Sequence, residues 1–392
     1  MRGHSILSIS LILLSAACVD RVFIDVGNSP TFPIVVDGHI SDEPGPYTIG
    51  ITKAFDIESK VSLKIPISVK QVVLGDDHGN RETLSEVDQG IYQTKSTGIR
   101  GVVGNVYKLR IEISDGRVYE SKPDTLFPPG NLDSVYHNFR EDKTPDGASQ
   151  YGFDVFFNAS AGSKIDYHFL WKSIGTFQSD TNPEMACEGN PPVDCAPCTN
   201  DRPCGQCSIC NFKPLCSGLR NYGKIPTYLN AVFVRVAPCE CCTCWYNLFN
   251  PIPILSDNQL VGDGHYSAVK ANYIPLNAWI FQHKVYIGVS QMSLSRQAFT
   301  FYNSIRTQKV AISSLFQPVT GKIPGNFVEI NGSKVPIFGL FFATSITRKS
   351  ISITRNDVHP QSLIPSVEIP WKNSCLTLFP NGTTTKPSYW KD

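Results

Sequence analysis

The chain has 392 residues, 41% of them hydrophobic and 18% charged, and 35 Lys plus Arg against 34 Asp plus Glu leaves a net charge of +1. This apolar content excludes a disordered chain and is enough for two or three domains. The balanced charge excludes nucleic-acid binding as the main function, because holding a polyanion needs a basic excess.

Residues 1–17 read as a lipoprotein signal peptide. Arg2 supplies the positive start, Ile6 to Leu14 the apolar stretch, and Ser15, Ala16 and Ala17 lead into Cys18. A small residue before the cysteine fits a narrow peptidase site, and the Cys18 thiol stands where a diacylglycerol would be attached. Leu14 lies one place further from Cys18 than the usual lipobox leucine. The apolar stretch is too short to span a bilayer. Each buried acyl methylene adds about 0.8 kcal/mol, so two or three chains hold a soluble body at a membrane. Val19 follows Cys18 where inner-membrane retention would favour an acidic residue. The expected location is therefore the outer membrane, lipid-anchored, with the cell surface as one of its two faces.

Residues 18–32 form a tether containing Gly27, Asn28, Ser29 and Pro30. Beyond it, Tyr47, Ile49 and Ile51 alternate with polar or small residues, and so do Tyr107, Leu109, Ile111 and Ile113. That period belongs to half-buried antiparallel strands. Ser68 to Leu74 and Arg81 to Leu84 flank a turn at Gly75–Asn80, and Asp88-Gln89-Gly90 makes another turn before Ile91 and Tyr92. Turns at this spacing predict an Ig-like or transthyretin-like β-sandwich over 33–125. Pro123, Pro128, Pro129 and Gly130 mark a boundary, and a larger β-rich domain is expected over 131–392. Its strands are predicted at Asp133 to Tyr136, Tyr151 to Phe157, Asp166 to Trp171, Ala231 to Val236, Val285 to Val289 and Val335 to Phe342. One segment keeps helical period: Ala298, Phe301, Tyr302 and Ile305, with Ser295 able to cap the start. This aromatic stripe reads as core.

Thirteen cysteines are clustered. Apart from Cys18 they are Cys187, Cys195, Cys198, Cys204, Cys207, Cys210, Cys216, Cys239, Cys241, Cys242, Cys244 and Cys375. An even set in an exported chain favours disulfides. The stretch 187–244 is rich in Pro, Asn, Asp and Gly and short of large apolar side chains, so covalent staples would order it. Adjacent Cys241 and Cys242 are expected to take different partners. Zinc on Cys195-x2-Cys198 and Cys204-x2-Cys207-x2-Cys210 is the competing arrangement, and a thiol-redox Cys-x-x-Cys a third. Disulfides are preferred, with no cofactor beyond the covalent lipid.

The eight histidines form no His-Glu-x-x-His, and there is neither a Gly-x-Ser-x-Gly elbow nor a phosphate loop. Gly262-Asp263-Gly264 reads as a turn, and Asp76, Asp77 and His78 as a solvated hairpin rather than a cation site. Glycosidase carboxylates brought together from distant strands stay open as an alternative.

Asp133-Ser134-Val135-Tyr136, Cys244-Trp245-Tyr246-Asn247, Val289 to Tyr302, Leu315-Phe316-Gln317-Pro318, Gly325-Asn326, Phe338 to Ala343, Cys375 and Thr384 to Trp390 follow one another in a recognisable order. Together with Cys18 they resemble domain-of-unknown-function family 4249, a group of Bacteroidota outer-membrane lipoproteins. Two departures stand out: the family's Gly-Tyr-Phe is Gly339-Leu340-Phe341 here, and the cysteine-dense stretch is richer. Members often occur beside SusC-type TonB-dependent receptors. The resemblance thus implies a non-enzymatic accessory or ligand-binding partner of such a receptor in nutrient uptake. Phe212 and Tyr222, beside the stapled stretch, are candidate contact residues. A metal-binding or redox lipoprotein and a surface hydrolase are the alternatives.

Overall fold

A computed structural model of the chain describes residues 33–53, 65–161, 168–186, 213–221, 233–256, 264–312, 323–332, 337–364 and 371–391. The protein is mostly β, as its two-residue period requires. In Val106–Ile113, Tyr107, Leu109, Ile111 and Ile113 are buried while Lys108 and Arg110 face water. Each such apolar side chain contributes roughly 1.5–3 kcal/mol on full burial, and this alternation gives the strand its inner face.

Two sheets make the first sandwich. One runs Ile337–Thr344, Ile34–Ser41, Thr48–Lys53, Ile91–Gln93, Ser85–Asp88. The other runs Phe327–Glu329, Val118–Ser121, Val106–Ile113, Val69–Asp76, Arg81–Thr83. Ile34, Val36, Ile49 and Ile51 pack against Leu74, Leu109, Ile111 and Tyr119 between them. The sandwich thus reaches beyond the anticipated 33–125 segment. Ile337–Thr344 lies parallel to Ile34–Ser41 over eight residue pairs and puts Phe341 and Ala343 into the same core. A parallel neighbour needs a crossover, and here the crossover is most of the chain.

The second body sets Asn131–Lys143, Ser149–Ser160 and His265–Pro275 against a sheet ordered Thr243–Phe249, His168–Asp180, Val285–Leu294, Ile346–Ile353. Phe153, Val155, Phe157, Trp171, Phe177, Phe281 and Ile287 fill the space between. Trp171 Nε1, buried in that core, donates to Gln291 Oε1 at 2.7 Å, so the indole N–H is satisfied there.

The predicted helix spans Arg296–Ile312. Ser295 Oγ accepts from the Ala298 backbone N–H at 3.2 Å, a cap worth about 1 kcal/mol. Ala298, Phe301 and Tyr302 lie on Leu170, Met292 and Leu294 of the second body and on Leu340 and Phe342 of the strand that completes the first. The helix is therefore a wedge at the joint. Among the described residues no helix is long and apolar enough to cross a membrane.

The C-terminal segment straps the second body. Trp245 and Thr383 exchange backbone hydrogen bonds (2.8 and 2.9 Å), Tyr389 stacks on Tyr286 at 4.6 Å between centroids, and Trp390 is buried under Lys284. The strap covers part of Thr243–Phe249, an edge strand that would otherwise expose unpaired backbone groups.

Candidate functional site

Between the second body and the helix there is an open cleft of about 160 Å³. Trp171, Lys172, Tyr302 and the loop Phe249–Pro253 line it. The side-chain alternation of His168–Asp180 sends Trp171 to the second core while Leu170 joins the cluster beneath the helix. Lys172, two residues on from Leu170, shares that outer face. The Lys172 ammonium sits 6.0 Å from the Tyr302 ring centroid. Tyr302 meets Phe342 edge-on at 5.8 Å, and Phe342 stacks on His39 at 5.4 Å, so one aromatic chain links the cleft to Ile34–Ser41.

Concave walls strip water from these groups although Lys172 itself reaches solvent. Desolvation lowers the Lys172 pKa against the opposing charge of Asp37, and the same burial raises that of the Tyr302 phenol. His39 is pushed down to about 4, first by burial and then by the charges of Lys172 and Arg348. The imidazole is therefore neutral at pH 7.

At the lip, Phe249 is 65% exposed, with Ile252 of the same loop also open to water. Lys309 Nζ donates to the Pro251 carbonyl at 2.5 Å and ties the loop to the helix end. Exposed apolar side chains gathered at one mouth mark a contact surface. A larger hollow of about 510 Å³ lies on the outer face of the first sandwich, with Arg81, Lys108, Arg110 and Glu120 in its walls. Its charges are of both signs.

The sequence missed the cleft. Tyr302 was expected in the core, and it is both core and cleft wall. The available signal was Lys172 interrupting the apolar run Phe169-Leu170-Trp171, together with the Pro-rich Phe249–Pro253 between two strands.

Among the described residues six candidate cysteines are paired: Cys216 with Cys241, Cys239 with Cys242, and Cys244 with Cys375. Cys241 and Cys242 do take different partners. Cys18, Cys187, Cys195, Cys198, Cys204, Cys207 and Cys210 lie outside the described residues, as do Phe212, Tyr222 and Asp263. Beside the Cys239–Cys242 pair stands Glu184, with a carboxylate oxygen and both sulfurs mutually within 4.8 Å. Glu184 is ion-paired to Arg235.

Asp76, Asp77 and His78 form the expected hairpin turn. Asp76 Oδ1 accepts from the backbone N–H groups of His78 (3.0 Å) and Asn80 (2.9 Å), and Asp77 pairs with His78 at 3.0 Å. A polar cluster not anticipated joins His283 Nε2 to Asp180 Oδ2 at 2.6 Å, with Thr243 Oγ1 donating to Asp180 Oδ1 at 2.8 Å.

Asp124 locks the joint. It is 2% exposed, accepts from the Ala343 N–H at 2.9 Å and is bonded to the Ser295 hydroxyl that caps the helix. Burial pushes its pKa up to about 6, against those two hydrogen bonds. Its contribution to stability is fully present below about 4 and is lost as pH rises through about 6, a change of about 3 kcal/mol. His39 works in the opposite sense. Its contribution is present above about 6.5 and is lost as pH falls through about 4, again about 3 kcal/mol. The two slopes largely cancel between pH 4 and 6. Asp124→Asn keeps an acceptor for Ala343 but no longer titrates. Urea midpoints measured from pH 4 to 7 should then fall more steeply on acidification than in the wild type. Parallel profiles would show that Asp124 does not titrate in this range.

Two β-sandwich bodies, a helix wedged at their joint, a cleft beside that helix and a disulfide-stapled C-terminal strap define the class of this protein. The chain belongs to the family described as Domain of unknown function (DUF4249), whose model matches residues 19–350. The match runs through both bodies and stops before the strap, so Cys375 and Thr384 to Trp390 lie beyond it. Neither the comparison with curated proteins nor that with solved structures gave a match.

Proposed function

We propose that this protein is a lipid-anchored, non-enzymatic binding module of the outer membrane, working as an accessory partner of a TonB-dependent receptor in nutrient uptake. The cleft at the joint carries the binding part of this reading. At about 160 Å³ it is smaller than the roughly 300–1,000 Å³ of sites that enclose a whole small molecule. It suits one side chain or ring of a larger partner, gripped by Tyr302 and Phe249 and held by the Lys172 charge. Aromatic groups around one charge are the composition of interface anchor points.

The anchor rests on Cys18 and the residues before it. The tether 18–32, fully extended, would reach at most about 50 Å from the lipid. Confinement to that range raises the concentration of the module around a membrane channel, to the millimolar scale for a short linker. Membership of the family supports a common role for both bodies rather than for one of them.

The test is made in bacterial cells that process lipoproteins. Labelled palmitate should enter the wild type and not Cys18→Ser, which should leave the membrane fraction. Pull-down from detergent-solubilised membranes should bring a large β-barrel with the wild type. Phe249→Ser combined with Lys172→Glu should cut that recovery at least tenfold while leaving acylation intact. An unlabelled wild type would remove the anchor, and a labelled protein recovered alone would remove the receptor partnership.

A further inference from the structure

We propose that Cys239, Cys242 and Glu184 form a redox-gated site for zinc, closed while the two cysteines are joined and opened when a dithiol reduces them. The reading is independent of the cleft. It begins with position. The bond between Cys239 and Cys242 closes the shortest of the three described disulfide loops, with a sequence separation of 3 against 25 and 131. A loop that short restrains the unfolded chain least, so its bridge adds least to the fold.

The backbone around it is held by other means. Cys241, between the two, is tied to Cys216. Glu240 N–H donates to Cys216 O at 2.8 Å, Thr181 N–H to Cys242 O at 2.7 Å and Cys375 N–H to Cys241 O at 3.1 Å. Breaking the short bridge therefore leaves both cysteines where they are.

Access points to the same pair. Cys244 and Cys375 are fully buried, and Cys216 is half-buried but its partner Cys241 is only 2% exposed. Cys239–Cys242 is the described pair with both members half-buried. Exchange depends on that access.

Chemistry supplies the ligand. In the oxidised pair two sulfurs and a carboxylate oxygen already lie within 4.8 Å of one another, and reduction frees both sulfurs as ligands. As two thiolates and a carboxylate they repel one another, and Arg235 on Glu184 offsets one charge only. A divalent cation removes the conflict. Zinc takes sulfur at about 2.3 Å and carboxylate oxygen at about 2.0–2.2 Å in a tetrahedron, and three protein donors leave the fourth place to water.

The electrons balance through the dithiol. One of its thiolates attacks a sulfur of the pair, breaking the Cys239–Cys242 bond and forming a mixed disulfide. Its second thiolate resolves that bond, so the reductant leaves as a disulfide and the protein keeps two thiols. Zinc binding then releases two thiol protons to solvent.

The experiment uses the oxidised full-length chain. One equivalent of dithiothreitol is added, free thiols are trapped by alkylation, and the modified peptides are mapped by mass spectrometry. In parallel the reduced protein is equilibrated with zinc sulfate, desalted and assayed for bound metal. The first cysteines labelled should be Cys239 and Cys242. The wild type should retain one more zinc per chain than C239S/C242S, whose thermal unfolding should stay cooperative. Glu184→Gln should weaken zinc at least tenfold with no change in labelling order. First labelling of any other cysteine pair, or equal zinc in the wild type and C239S/C242S, would overturn the proposal.

Discussion

Replacing Cys244 and Cys375 together by alanine is expected to lower stability by about 3–5 kcal/mol. The bridge closes a loop with a sequence separation of 131, for which the chain-entropy relation gives about 5 kcal/mol. Both sulfurs are fully buried. Alanine is the right replacement because a serine hydroxyl there would add an unpaired polar group of its own. Without the bridge the strap keeps the Trp245–Thr383 pairing and the packing of Phe379 on Phe177 and Tyr246. Those contacts must then order the segment against its own chain entropy. Differential scanning calorimetry under oxidising conditions should show a drop in Tm of about 4–9 °C. C239A/C242A, which opens only the short loop, should lose about 2 kcal/mol or less. Equal losses in the two variants would mean that loop size does not govern these bridges.

Gly339→Ala is the second large effect, expected at about 4 kcal/mol or more. Gly339 has φ +95°, and a Cβ there would lie 1.8 Å from the Val36 carbonyl oxygen and 2.8 Å from its carbon. The obstacle is backbone and cannot rotate away. An L side chain in the left-handed region costs about 1–2 kcal/mol by itself. The larger part comes from pushing Ile337–Thr344 off Ile34–Ser41. Phe341 and Ala343 would leave the first core, and Leu340 and Phe342 the cluster beneath the helix. Asn326, whose side chain accepts from Phe341 N–H at 3.1 Å and donates to its carbonyl at 2.6 Å, would lose both partners. Gly332→Ala is the control: its φ is +86°, but nothing lies within 4 Å of the added carbon. It should lose about 1–2 kcal/mol, the conformational cost alone. Urea denaturation of both variants separates strain from collision.

Much of the fold was legible because it is written in local periods. Tyr107, Leu109, Ile111 and Ile113 announce their strand, Phe153, Val155 and Phe157 another, and Ser295 the start of the helix. Each depends on neighbours within a few residues. The thiols were legible in number and in their expected chemistry, and the parting of Cys241 from Cys242 followed from their adjacency. The candidate site was not legible. Asp37, His39, Lys172, Phe249 and Tyr302 come from four separate elements, and their convergence depends on how two sandwiches meet a helix.

What the sequence determined alone is therefore the β character, the helix, the places of several strands and the class of bond the described cysteines form. Tertiary structure alone decided that strand 337–344 closes the first sandwich, which thiol meets which, and that Tyr302 faces a cleft as well as a core. The reason is physical. Side-chain period and capping act over a few residues, whereas parallel pairing, disulfide partners and clefts join residues tens to hundreds of positions apart. Their stability depends on surfaces that exist only once the chain has folded.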